Sequence, residues 1–365
     1  KFIMAYTTIN KSTDYFNTKI YNSTGNDNLA ITGVGFEADL TWIKKARVVS
    51  GSNTNEAHMW ADQVRGSGYY ISSSSNAGQT STTNDLKSWQ SDGFTLGTVN
   101  RVNQGSSAHI YASYNWKAGT TASGATTGSG TAKTYSSSSN STAGFSIVTY
   151  TGNGTAGHTV PHGCGSAPTM VIFKQLNENR GWGVYHKDLG VDKIIYLDEN
   201  IAPQTASPNT QFLNNTAPSS SVVSLGTWSE VNKNDASYVA YCFAPKSGYS
   251  KFGSYTGNGN SDGTFVYTGF KPAWIMRKRY DGGTNHWSIM NNKRFGYNTV
   301  LPYLVANTEA PEEIDQNVNN IDILSNGFKC RESDANGNGS GNTYIYMAFA
   351  EAPLVGTNNV PCTAR

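Results

Sequence analysis

The sequence predicts an all-β chain of three tandem antiparallel β-sandwich units, jelly-roll or small-barrel in form, each of about 95 residues. One set of landmarks recurs three times in the same order. The clearest copy opens with Tyr255-Thr256-Gly257-Asn258-Gly259, passes Trp274-Ile275-Met276 and His286-Trp287-Ser288-Ile289, and closes with Tyr344-Ile345-Tyr346-Met347-Ala348-Phe349. Upstream the same landmarks are Tyr150-Thr151-Gly152-Asn153-Gly154, Val171-Ile172-Phe173, Trp182-Gly183-Val184-Tyr185 and Tyr238-Val239-Ala240-Tyr241-Cys242-Phe243. The first copy is more worn, running from Tyr21 through Trp42-Ile43 and His58-Met59-Trp60 to Tyr111-Ala112-Ser113-Tyr114-Asn115-Trp116. The second observation is that nearly every apolar run has strand length and is bounded by Gly or Asn turns. The third is the aromatic content, 12% in a chain only 14% charged. Rings supply enough buried area to exclude disorder, while Ser, Thr, Asn and Gly replace the usual surface charge.

Taken in order, residues 1–20 read as an N-terminal arm and 21–117 as the first unit. In that unit Gly33-Val34-Gly35-Phe36 leads into Leu40-Thr41-Trp42-Ile43, a core strand between turns. From 118 to 144 the composition falls to Gly, Ser, Thr and Ala. The expectation there is a flexible linker that lets the first unit swing. The second unit spans 145–245 and the third 249–353, close enough in sequence to touch, followed by a tail over 354–365. The acidic piece within 309–320, with Glu312, Glu313 and Asp315, is the best candidate for a short helix. The four cysteines, Cys164, Cys242, Cys330 and Cys362, fall at unlike places in the copies and read as mostly free, buried thiols.

A net charge of +2 without a long basic run gives no footprint for nucleic acid. The basic clusters Lys44-Lys45 with Arg47 and Arg277-Lys278-Arg279 follow apolar runs and read as solvated strand ends. No apolar run reaches the ~20 residues of a membrane helix, so no membrane insertion is expected. Lys1 to Thr8 lacks the apolar core of a secretory signal.

Catalytic chemistry finds little support. Glycoside hydrolysis needs two carboxylates in one cleft, whereas Asp62, Asp188, Glu230 and Asp262 stand singly and no pair recurs between copies. No elbow of the Gly-x-Ser-x-Gly type stands on a strand-to-helix turn, and the Gly-Asn-Gly turns open no helix that would cradle phosphate. No catalytic residue and no cofactor is therefore expected. Asp334, Asn336 and Asn338 match the first half of a calcium loop, but Ile345 stands where its bidentate acid belongs, so a hairpin turn is favoured. His158, His162 and Cys164 have zinc-ligand chemistry but no fourth ligand in view. The remaining signal is aromatic and amide-rich, on the mid-unit strand. Trp60, Tyr185, His186, His286 and Asn291 are the candidate sugar-binding residues, rings to stack and amides to read hydroxyls, with Trp182 and Trp287 favoured as core and His186, His286 and Asn291 expected on the surface.

Met4-Ala5-Tyr6-Thr7-Thr8-Ile9-Asn10-Lys11-Ser12-Thr13-Asp14-Tyr15-Phe16, Ile31-Thr32-Gly33-Val34-Gly35-Phe36, Ser91-Asp92-Gly93-Phe94-Thr95-Leu96-Gly97 and the Ala348-Phe349-Ala350 ending resemble an uncharacterised repeat family encoded largely by marine tailed bacteriophages, including cyanophages. The resemblance covers nearly the whole chain and brings no catalytic residues. It implies a virion structural protein with lectin-like sandwich units, such as a tail fibre, receptor-binding protein or capsid-attached fibre. The implied location is the virion surface, and the implied partners are other virion proteins and a host cell-surface glycan. A homotrimer is expected by analogy. A purely structural decoration protein and a glycan-degrading tailspike are the alternatives.

Overall fold

The structure is a computed structural model, which describes residues 7–49, 55–105, 108–208, 210–300, 302–315, 317–356 and 361–363. Almost all regular structure is β, in antiparallel sheets. Three main sheets share one strand order. In the first, Phe16–Asn22 pairs with Ile110–Trp116, which pairs with Leu40–Arg47, which pairs with Met59–Asp62. In the second the same order is Phe145–Thr151, Ser237–Phe243, Met170–Gln175 and Gly183–His186. In the third it is Ser250–Thr256, Thr343–Pro353, Phe270–Arg279 and Ser288–Asn291. Each main sheet is faced by a three-stranded companion, built on Gly93–Leu96, His158–Pro161 and Gly327–Cys330 respectively.

The two central strands of each main sheet are buried on both faces, which is why they read as near-continuous apolar runs rather than as alternations. One face packs on its own companion sheet, giving three local cores around Ile43 and Phe94, Phe173 and Phe212, and Ile275 and Phe328. The opposite faces meet in a single shared core that draws Trp42 and Trp116 from the first sheet, Ile172 and Phe243 from the second, and Trp274 and Phe349 from the third. At its centre the last rings of the three closing strands form a triangle. Trp116 lies 6.3 Å from Phe243 and 5.7 Å from Phe349, and Phe243 lies 6.1 Å from Phe349.

A further device recurs in each block. Tyr21, Tyr150 and Tyr255 stack on Tyr111, Tyr238 and Tyr344 at 5.3, 5.1 and 4.9 Å. Their hydroxyls donate to the carbonyls of Val102, Val231 and Gly337, each the residue before an Asn. Those amides, Asn103, Asn232 and Asn338, are fully buried and tie the closing turn to the opening loop. The glycine of the Tyr-Thr-Gly opening follows from this closeness. A Cβ on Gly152 or Gly257 would sit 2.4 Å from the carbonyl oxygen of Lys233 or Gly339.

Several expectations need correction. The 118–144 stretch is not a flexible linker. Thr120–Ala125 and Thr134–Asn140 extend the second sheet, with Thr134–Asn140 paired on both sides. Asp39 of the first block fixes this hairpin, accepting from Ala118 N and Ser138 Oγ at 2.7 Å each. Because the core is shared, the first block does not swing. The arm is structural as well, since the opening strand begins at Phe16 and Ile9 is buried; residues 1–6 lie outside the described residues. The short helix expected within 309–320 is absent among the described residues, where 309–315 run as extended chain with a two-residue strand, Glu313–Ile314. Glu312 N donates to Ala46 O, and its carboxylate joins Arg47 and Arg294, so the segment is stretched across a boundary between blocks. The described helices are single turns at Asn100–Asn103, Ser229–Asn232 and Ser12–Asp14. Lys44, Lys45, Arg277 and Lys278 are not solvated strand ends but 0% exposed strand residues. All four cysteines are free, three of them buried.

Candidate functional site

The mid-unit strands, where the sequence places a sugar site, lie at the boundaries between blocks. Just before each of them stands a residue that bonds a carbonyl of another block. His58 Nε2 donates to Val305 O of the third block at 3.0 Å, Trp182 Nε1 to Ser72 O of the first at 2.9 Å, and Trp287 Nε1 to Tyr196 O of the second at 2.8 Å. His58 Nδ1 accepts from Trp42 Nε1, which leaves the proton on Nε2 and the ring neutral. Burial, reinforced by Lys44, holds its pKa well below the usual imidazole value.

Three buried lysines repeat the cycle in the same direction. Lys44 donates to Glu56 O at 2.6 Å and to Glu309 O of the third block at 2.7 Å. Lys174 donates to Arg180 O and to Asn76 O of the first block, at 2.5 and 2.8 Å. Lys278 donates to Asn285 O and, at 3.4 Å, to Glu199 O of the second block. Burial lowers their pKa values to about 7, 8 and 7 respectively. The pattern is a closed head-to-tail ring within one chain, with every boundary of the same kind.

Of the five candidate sugar residues, all but His286 are buried. Trp60 is 1% exposed and packs on Trp42, Trp182 and Tyr241 at 4.3, 5.2 and 5.2 Å. Tyr185 is buried in the second local core, which pushes its hydroxyl up to about 12. His186 and Asn291, expected to be exposed, are buried at positions equivalent to Asp62, the last residue of each mid-unit strand. Asp62 accepts from Tyr241 Oη at 2.8 Å, and Asn291 Nδ2 donates to Tyr114 Oη at 3.3 Å. His186 faces the Tyr346 backbone, and burial lowers its pKa to about 4. His286 alone is part-exposed, its Nδ1 accepting from Asn307 Nδ2 at 2.9 Å. Trp182 and Trp287 are core, as expected.

The metal candidates are spent on the chain itself. Asp334 Oδ1 accepts from Asn336 N at 2.8 Å, and Asn338 is the buried corner amide of the third block. His162 Nε2 bonds Ser219 O and its Nδ1 accepts from Cys164 N, while His158 Nδ1 faces Asn153. Burial raises the Cys164 thiol to about 12, so it is no ready thiolate. Among the described residues no three His, Cys, Asp or Glu side chains converge.

Among the described residues, two surface clefts of several hundred Å³ are candidates. One, of about 870 Å³, lies between the first block and the hydroxyl-rich hairpin, and its only ring, Phe36, is buried. The other, of about 820 Å³, is lined by Asp262, Phe295, Tyr297, Thr299, Asn320 and Arg331 together with Ser261. Tyr297 is 65% exposed and lies 4.7 Å from the Phe295 ring. Arg331 bridges Asp262 and Asp322 at 3.3 Å each, and Lys329 meets Asp262 at 2.5 Å. Lys329 holds the Asp262 carboxyl below its usual range. The sequence did carry a signal for this cleft, two rings in the polar loop Asn292-Lys293-Arg294-Phe295-Gly296-Tyr297-Asn298, outside any repeated landmark.

A family model described as a domain of unknown function, DUF7483, matches residues 11–353. The chain belongs to the DUF7483 family. The DUF7483 match takes in the three main sheets, the lysine ring and the Tyr297 cleft, and its description assigns no chemistry to any of them. Comparison with curated proteins and with solved structures returned no match.

Proposed function

We propose that this DUF7483 chain is a non-enzymatic structural protein of a bacteriophage particle, an appendage of the tail-fibre, receptor-binding or capsid-fibre kind that contacts host surface glycans. Three duplicated copies of one sandwich unit make up its body. The observation that carries the proposal is the shared core with its closed ring of boundaries, since a body locked in this way holds surface loops at fixed positions for an external ligand. Its surface of hydroxyl and amide groups suits a polyhydroxylated partner. All but one of the residues first considered for sugar contact are buried, so the contact moves to an outer surface.

Two measurements test this. Mass spectrometry of purified particles from a phage encoding the chain is expected to find it in stoichiometric amount; its absence from particles would refute the virion assignment. On an array of bacterial surface polysaccharides the purified chain is expected to bind without releasing reducing ends. Release of reducing ends would establish the tailspike alternative, and silence across the array would favour a purely structural decoration protein.

A further inference from the structure

We propose that the cleft walled by Tyr297 and Phe295 on one side and by Asp262 and Arg331 on the other binds a neutral pyranose, with Asn320 at its floor. This rests on the glycan-contact part of the function proposed above and gives that contact a place and a sugar class.

The first observation is the ring platform. Six large apolar or aromatic side chains are exposed among the described residues, and Tyr297 is the most exposed of them at 65%. Its contact with Phe295 places two rings on the wall of a cleft large enough for a sugar. One face of a pyranose carries only C–H groups, and covering it with an exposed ring removes apolar surface of both partners from water.

The second observation is independent of the rings. Asn320 is 1% exposed and lines the same cleft, yet its Oδ1 has no hydrogen-bond partner among the described residues. Its backbone carbonyl accepts from Arg331 N at 2.9 Å, which fixes the residue in place. A buried amide oxygen without a donor is costly, and a ligand hydroxyl supplies the missing proton.

The third consideration selects the sugar class. The charges at the cleft balance, because Lys329 and Arg331 are matched by Asp262 and Asp322. Among the described residues lining the cleft, no uncompensated cation awaits a carboxylate sugar. Asp262 keeps acceptor capacity for further hydroxyls, and the Arg331 guanidinium has five donors with which to serve two carboxylates and a ligand oxygen.

The test is saturation-transfer NMR on the full chain with glucose, galactose, mannose, N-acetylglucosamine and N-acetylneuraminic acid as probes. At least one of the four neutral sugars is expected to receive saturation, with the effect reduced about tenfold or more in Tyr297→Ala and unchanged in Tyr69→Ala, an exposed tyrosine of another block. Saturation of no neutral sugar, of the acidic sugar alone, or of a neutral sugar to the same extent in Tyr297→Ala would overturn the proposal. The polysaccharide array separates the two levels. If Tyr297→Ala binds the array as the parent does, the cleft is refuted while glycan contact stands; if the parent itself fails to bind, both fall.

Discussion

Arg277 and Glu332 meet at 3.0 Å with both side chains 0% exposed, at the corner of the third block. Arg277 also donates to Tyr255 Oη, Gly337 O and Asn319 Oδ1, so its charge is compensated by one carboxylate and several neutral acceptors. Removing the carboxylate leaves a buried cation without a counterion. Glu332→Ala is expected to lower stability by about 3–5 kcal/mol, measured as a shift in the urea midpoint at unchanged slope. The ring lysines make a pH prediction. Their folded pKa values, about 7 to 8, lie below the unfolded lysine value, so between those limits the unfolded chain binds more protons. Stability is therefore expected to rise from pH 7 to pH 9, by up to about 1.4 kcal/mol per pH unit for each lysine. Lys278→Met should flatten that slope by roughly a third. Above pH 10 the buried tyrosines, whose folded pKa values are raised, reverse the trend. In the sequence these lysines were indistinguishable from strand-end charges, because their partners are carbonyls of distant blocks.

The strands themselves were legible wherever one face or both had to be apolar, as at Leu40–Arg47, Met170–Gln175 and Phe270–Arg279. The hairpin from 120 to 140 was not, since its composition supplies no apolar face. It forms because Thr and Ser tolerate the pleat, because Phe145–Thr151 offers a ready edge, and because Asp39 clamps it from the first block. Hydrogen exchange is expected to protect amides throughout Thr134–Asn140, which has a neighbour on each side, and only alternate amides in Thr120–Ala125, which has one. Uniformly fast exchange across both would restore the linker. The Asn corners were legible as turns, but their buried four-way bonding was not. Asn232→Ala orphans the Asn153 amide and the Gly226 and Thr155 carbonyls, and is expected to cost about 1–3 kcal/mol in a denaturation series.

At the scale of the whole molecule, three local cores surround a fourth that all three main sheets share. The sequence showed enough rings for three separate sandwiches, and no pattern within one copy reveals that Trp116, Phe243 and Phe349 converge. The same ignorance sent His186 and Asn291 to the surface and made Trp60 a sugar-binding candidate, because a ring beside amides reads alike whether it faces water or the next block. The shared core and the closed ring of boundaries make the blocks interdependent, and separation of any one exposes Trp42, Trp182 or Trp274 together with a buried lysine. The direct test is differential scanning calorimetry of the intact chain. A single transition is predicted, with a calorimetric enthalpy of about 250 kcal/mol near 60 °C that equals the van't Hoff value. Two or three resolved transitions, or a calorimetric enthalpy several times the van't Hoff value, would mean that the blocks unfold independently and would contradict the shared core.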